Sequence, residues 1–222
     1  MDSFVIRTNS RPKSTKQPLN IYTDGACTNN GKSTAKAGFG VFFGENDERN
    51  ISQTFNGRQT NNVAELLAIV TALSVVKNDI EEGRIIHLYT DSKYSKRCCT
   101  TYGEKMSKKG WQLKGQDIPN RQIVEAAYDF CRKYPNIKFH HIAAHTGLQD
   151  EHSIGNDNAD RLANLSIGVK QRSSSSKIYL NVPFSEKEEA KKLGAKWDGN
   201  RKKWFIENKN KHRIQMMGRW SQ

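Results

Sequence analysis

Apolar and polar positions alternate across Leu19-Asn20-Ile21-Tyr22-Thr23, a strand pattern that ends at Asp24-Gly25. Asn29-Asn30-Gly31 is a turn signal, and Gly38 to Phe43 reads as a second strand. Ile51 to Phe55 reads as a third, after the turn residues Gly44 to Asn50, so the first three strands predict an antiparallel meander. The period then changes. Asn61 to Lys77 carries Val63, Leu66, Leu67, Val70 and Leu73 at helical spacing with no Gly or Pro. Arg84 to Thr90 is a strand of the buried type. Ser92 to Met106 predicts a helix broken near Gly103, and Asn120 to Tyr134 a helix stopped by Pro135. Ile137 to Ala143 is a strand, and Gly155 to Val169 a last helix. This order predicts an α/β fold: a mixed five-stranded sheet, a meander plus parallel strands, flanked by helices.

The flanks are different in kind. Residues 1–17 mix Arg, Lys, Ser and Asn and predict a disordered basic arm before a domain over residues 18–169. Residues 170–177, with Ser173 to Ser176 in a row, predict a flexible linker. Residues 178–222 predict a small basic α+β module. In it, Ile178 to Val182 forms a strand, and Ser185 to Glu188 a capping box opening a helix that ends at Gly194. Asp198-Gly199-Asn200 is a turn and Lys203 to Ile206 a second strand.

Charge narrows the partner. The net charge of the 222 residues is +13, which points to a polyanion, most simply nucleic acid. Residues 170–222 hold fourteen Lys or Arg against five Asp or Glu, so nine of those thirteen charges lie there. No apolar run approaches the roughly 18 residues of a membrane span, and Met1 to Pro18 has no signal-peptide core. Cys27, Cys98, Cys99 and Cys131 form no CxxC pair and show no zinc-ligand spacing. The expectation is a monomer in a reducing intracellular compartment, cytoplasm or nucleus, with no membrane partner.

The body that precedes this basic tail carries candidate chemistry in four acidic stretches: Thr23-Asp24-Gly25, Ala64-Glu65-Leu66, Thr90-Asp91-Ser92 and Asn158-Ala159-Asp160. Each has a bland reading: a turn residue, a favourable charge in a helix's first turn, a helix cap and a surface helix residue. Together they fit one arrangement. Asp24 ends the first strand and Asp91 the fourth, its expected neighbour; Glu65 faces them from the helix above, and Asp160 lies near the start of the last helix. Like charges gathered this way are unfavourable unless cations neutralise them, so the pattern points to bound divalent metal.

The motifs resemble those of type 1 ribonuclease H over residues 18–169. They are Thr23-Asp24-Gly25-Ala26, Gly57 to Glu65, Tyr89-Thr90-Asp91-Ser92, His145-Thr146-Gly147 and Gly155 to Ala163. The resemblance implies the ribonuclease H fold and endonucleolytic hydrolysis of the RNA strand of RNA/DNA hybrids, leaving 5′-phosphate and 3′-hydroxyl ends. It implies that Asp24, Glu65, Asp91 and Asp160 hold two Mg2+ ions, with Mn2+ as a substitute, and that Asp160 rather than Asp157 is the fourth ligand. Magnesium's preference for hard oxygen donors suits an all-carboxylate set. His145 matches the family's loop histidine, which moves protons or helps product leave; His87, His140, His141 and His152 are read as ordinary surface histidines. Asn30, Asn61 and Asn62 match contacts to 2′-hydroxyls and base edges, with helix capping as the other reading of Asn61. Arg58, Thr60 and Asn120 match a pocket for a DNA phosphate. Lys105 to Trp111 resembles a basic handle in which Lys108 and Lys109 meet phosphates and Trp111 packs or stacks. Gly103 and Met106 replace aromatic residues there and imply a looser grip.

The tail has its own resemblance. Tyr179 to Phe184, Leu193-Gly194-Ala195-Lys196-Trp197-Asp198 and Arg201 to Phe205 resemble a small domain of unknown function appended to DNA-processing proteins. Trp197 is expected in its core, and Arg201, Lys202 and Lys203 as nucleic-acid contacts that strengthen hybrid binding. The rival readings are another enzyme of the same fold and a non-catalytic hybrid-binding protein; the second is disfavoured because all four carboxylates are present.

Overall fold

A computed structural model describes residues 16–143, 150–169, 177–199, 201–207 and 210–220. The expected arm (all but its last two residues), the His145 loop, most of the linker and Asn200 lie outside them. The chain separates into two compact units, within residues 1–169 and 170–222.

The first unit begins with the meander: β1 (Leu19–Thr28), β2 (Lys36–Phe42) and β3 (Ile51–Thr54). Next come α1 (Asn61–Val75), α2 (Lys77–Glu81) and β4 (Ile86–Thr90). Helices α3 (Lys93–Cys99) and α4 (Thr101–Ser107) lead to the short strands β5 (Gln112–Leu113) and β6 (Gln116–Asp117). The unit closes with α5 (Arg121–Lys133), β7 (Ile137–His141) and α6 (Glu151–Ser166). The large sheet runs β3-β2-β1-β4-β7. β1 is antiparallel to β2 and parallel to β4, and β4 is parallel to β7, so the sheet is mixed as expected.

Each face of the sheet is covered. Ile21, Val41 and Leu88 meet Ile69, Ala72 and Leu73 of α1 in the main cluster, each side chain almost fully buried. Burying an aliphatic side chain of this size stabilises by about 1.5–3 kcal/mol. Tyr22, Phe42 and Tyr89 meet Ala159 and Leu162 of α6 in a smaller cluster. Leu66, Met106, Trp111, Ile118, Val124 and Tyr128 form a third.

Several boundaries differ from the sequence reading. β1 does not stop at Asp24; its pairing with β2 continues to Thr28 opposite Lys36. The helix after Asp91 breaks at Thr100, whose backbone (φ −130°, ψ −111°) is non-helical, and Gly103 lies inside α4. A Cβ on Gly103 would come within 2.6 Å of the Tyr128 ring, so the glycine makes room for packing rather than ending the helix. Val76 interrupts the helix expected to reach Lys77. The last helix starts four residues early because Asp150 caps it, accepting from the His152 and Ser153 amides. Asp160 therefore sits in mid-helix.

The second unit comprises β8 (Lys177–Leu180), a 3-10 turn (Phe184–Glu186) and α7 (Lys187–Lys192), followed by β9 (Lys196–Asp198), β10 (Lys203–Glu207) and α8 (Arg213–Trp220). Its sheet order is β8-β10-β9. Neither β9 nor α8 was expected. The capping box is absent: Ser185 lies in the 3-10 turn, and Glu186, the residue capping α7, makes no side-chain cap bond. Trp197 is not core either. Its side chain is 53% exposed, whereas Trp220 is buried with Leu180, Ala190, Ile206 and Met216. The Trp220 indole N–H donates to Glu186 at 2.8 Å, a partner that fixes it inside.

Candidate functional site

Strand register brings the acidic residues together. Thr23 lies opposite Thr90 in the parallel β1–β4 pair, so the next residue on each chain, Asp24 and Asp91, emerges at the same end. Helix α1 crosses this point at close range. A Cβ on Gly25 would lie 2.5 Å from the Glu65 amide nitrogen and 2.9 Å from the Ala64 Cβ. Only glycine permits that approach, which explains why it follows Asp24. Carboxylate oxygens of Asp24, Glu65 and Asp91 all lie within 4.8 Å of one another.

The cluster is strained electrostatically in a way that fits a cation. Burial first, then the charges of Asp91 and Asp160, push the Asp24 carboxyl up to about 8, despite the Gly25 amide donating to it at 2.8 Å. Glu65 is raised well above the ordinary carboxylate range by burial, then by Asp24 and Asp91. Glu65 Oε2 is buried without a hydrogen-bond partner, a costly state for a carboxylate oxygen. The other Glu65 oxygen accepts from Asn61 Nδ2 at 3.4 Å. Asp91 accepts from Asn156 Nδ2 at 3.4 Å. Asp160 reaches Asp24 from α6 and accepts from Asn164 Nδ2 at 2.7 Å, whereas Asp157 is exposed. An all-oxygen, half-buried, mutually repelling donor set fits divalent metal.

The expected substrate residues surround this cluster unevenly. Thr60, not Asn61, caps α1, its hydroxyl accepting from the Val63 amide at 3.3 Å. That leaves the Asn61 side chain directed at Glu65, while its amide donates to Asn30 Oδ1 at 3.4 Å. Arg58 and Asn62 are exposed beside them. Gln59, which sequence reasoning missed, holds this loop: its Oε1 accepts from the Ala37 amide at 2.7 Å and its Nε2 donates to the Phe55 carbonyl at 2.9 Å. Asn156 was missed too; nothing in a helical pattern marks it, yet it is buried against Asp91. Asn120 opens α5 in the left-handed region (φ 58°) and donates to the Tyr94 hydroxyl at 3.2 Å.

In the handle, Lys108 and Lys109 are exposed, Lys108 pairing with Glu104 at 2.7 Å. Trp111 packs. Its indole is 6% exposed and meets Tyr128 edge-on at 5.9 Å, with Met106 in the same cluster. Gly103 and Met106 are both buried at the base of the handle.

Three histidines also differ from the surface reading. His87 Nδ1 and His140 Nε2 are hydrogen-bonded at 2.8 Å. Tyr89 stacks between His140 (4.7 Å) and His152 (4.3 Å), and His152 Nδ1 bonds the Tyr22 hydroxyl at 3.0 Å. Burial, then the neighbouring His87, lowers His140 below the usual imidazole range. His141 is exposed, its Nε2 at 3.1 Å from the Asp91 carbonyl. In the second unit, Arg201, Lys202 and Lys203 are exposed. Among the described residues no helix is long and apolar enough to cross a membrane.

Comparison with known proteins gives two family matches: RNase H over residues 16–167, and a domain of unknown function (DUF5710) over residues 177–222. Ribonuclease H1 of Rattus norvegicus is 35% identical over 153 residues, which cover 68% of this chain and 50% of that protein. The chain thus spans about half the length of that relative. Ribonuclease H of Hahella chejuensis is 34% identical over 157 residues, 69% of this chain and 94% of that protein. Among solved structures, the RNase H domain of PFV matches with a TM-score of 0.52 at 21% identity, covering 68% of this chain and 94% of that one. The foamy viral protease-reverse transcriptase in complex with RNA/DNA hybrid matches with a TM-score of 0.52 at 20% identity, covering 75% and 22%. These two likenesses concern the fold.

Proposed function

Because the chain belongs to the ribonuclease H family, we propose that it hydrolyses the RNA strand of RNA/DNA hybrids endonucleolytically, leaving 5′-phosphate and 3′-hydroxyl ends. The observation that carries this reading is the buried meeting of Asp24, Glu65 and Asp91, with Glu65 Oε2 left without a partner. Asp24, Glu65, Asp91 and Asp160 hold the metal. When bound, two Mg2+ ions, for which Mn2+ substitutes, supply positive charge at the phosphate and lower the pKa of water.

The remaining roles belong to the chain's own groups. Asn61, aimed at Glu65 and tied to Asn30, sets the RNA strand through its 2′-hydroxyls together with Asn62. Arg58, Thr60 and Asn120 hold a phosphate of the DNA strand, and Lys108 and Lys109 grip the duplex through its backbone. Asn156 orients Asp91. His145 moves a proton at the departing product. The protein works as a monomer in a reducing compartment, and the C-terminal unit adds affinity for the hybrid through Arg201, Lys202 and Lys203.

The test offers labelled hybrid, duplex RNA and duplex DNA in Mg2+ to the full chain and to Asp91→Asn. The expected result is cleavage of the RNA strand of the hybrid alone, reduced at least about a hundredfold by the substitution. Cleavage of duplex DNA, or an unimpaired Asp91→Asn variant, would overturn the reading.

A further inference from the structure

We propose that one end of the second unit's sheet, built around Trp197, is a stacking site for an unpaired nucleotide beside the hybrid. This rests on the reading that the unit binds nucleic acid.

Register defines the place. Trp197 pairs with Trp204, and Trp204 with Leu180 on the other side. β9 therefore ends, β10 begins and β8 ends at the same edge of the sheet. The turn carrying Arg201 and Lys202 joins β9 to β10 there, held by the Arg201 amide donating to Asp198 Oδ1 at 3.2 Å. Phe184, also strongly exposed, follows β8 at that end, with Lys187 Nζ 3.8 Å from its ring centre.

Trp197 is an open ring on a firm backing. Its ring lies 5.5 Å from that of half-buried Trp204, edge to face, so the side chain is braced while more than half exposed. Trp111 and Trp220, by contrast, are buried. Leaving so large an apolar surface in water is unfavourable for folding and fits a ligand that covers it.

Charge identifies the ligand. Each of the five carboxylates of the unit has a cationic partner: Asp198 has Lys177, Glu207 has Lys196, Glu188 has Lys191, and Glu186 and Glu189 have Arg219. Lys202, in the turn beside Trp197, has no acidic partner among the described residues, whereas Lys203, paired with Asp198, lies on the other face of the sheet from Trp197. A ring to stack on, with an uncompensated lysine in the adjoining turn, matches one base and its phosphate. Inside a duplex both faces of a base are covered by its neighbours. An unpaired nucleotide offers a free face, so the indole selects single-stranded flanks over the hybrid itself.

The experiment measures binding of the full chain in EDTA to a blunt hybrid and to hybrids with a short DNA or RNA overhang. Expected is about tenfold tighter binding with an overhang of either sugar. Trp197→Ala should abolish the preference, and Trp197→Phe should keep most of it. Equal affinity for blunt and overhanging hybrids in the full chain, or an intact preference in Trp197→Ala, overturns the proposal. A second measurement needs no variant: a single-stranded oligonucleotide should quench the native tryptophan fluorescence, and absence of quenching counts against the site. Cleavage of the blunt hybrid in Mg2+ tests hydrolysis separately. A chain that cuts but shows no overhang preference sinks the stacking site alone; one that shows the preference but does not cut sinks the nuclease reading alone.

Discussion

At the scale of single residues, the site stores repulsion that a bound cation would relieve. The folded-state pKa of Asp24, about 8, lies above the ordinary value of 3.8. The folded protein thus holds this proton more tightly than the unfolded chain does. In metal-free protein the group's contribution to stability is full below about pH 4 and is lost progressively as pH rises through 8. Thermal unfolding in EDTA should therefore show a falling Tm between those values, and Mg2+ should restore it on the alkaline side. Asp24→Asn should flatten the decline and raise the metal-free Tm at pH 8 by several degrees while abolishing cleavage; about 1 kcal/mol corresponds to ~2–4 °C for a chain of this size. An Asp24→Asn variant with an unchanged pH profile of Tm would contradict the burial argument. Gly25 makes the complementary case. Gly25→Ala forces a methyl group against the Glu65 backbone, so it should cost about 1–3 kcal/mol and lower activity beyond what the lost stability explains. Chemical denaturation and kcat for the hybrid would check both halves.

At the scale of elements, what the sequence disclosed was periodicity and motif, and what it concealed was contact. The meander, the buried strand at Arg84 to Thr90 and the helix from Asn61 were readable because each keeps one period over several residues. The pairing of Thr23 with Thr90 was implied by adjacent strands, and it sets Asp24 beside Asp91. Gly103 looked like a helix breaker because its reason is packing: the Cys98 carbonyl and the Tyr128 ring, on α5, occupy the space a side chain would need. Trp111 is a similar case. A tryptophan among lysines suggests a ligand platform, yet Tyr128 and Met106 enclose it. Its role is then to hold the handle's shape, and Trp111→Ala should lose about 3–5 kcal/mol through the cavity it leaves. Urea unfolding of the full chain measures this. Hybrid affinity should fall with it, because Lys108 and Lys109 directly precede the loosened segment. Retained stability would mean the indole is not core.

At the scale of the whole molecule, the two units keep separate cores. The clusters of the first draw on residues 19–162, and that of the second on Ile178 to Trp220. Trp220 rather than the expected Trp197 fills the core because burial in so small a unit depends on which helix closes it. Helix α8 does so, with Arg219 paired to Glu186 and Glu189 and the Trp220 indole bonded to Glu186. None of those contacts is local in sequence. Separate cores permit a direct test of the division of labour. Removing residues 171–222 should leave the first unit folded, with its own unfolding transition, and still able to cut hybrid. Binding, however, should weaken and lose part of its salt dependence. If Arg201, Lys202 and Lys203 each neutralise one phosphate, the slope of log affinity against log salt should shrink by about 2–3, since each contact contributes roughly 0.9 on B-form duplex. The measurement is hybrid affinity across a salt series for both proteins. An unchanged slope would mean that the nine net positive charges beyond residue 169 serve something other than the hybrid, and the catalytic unit would then have to supply all of its own grip.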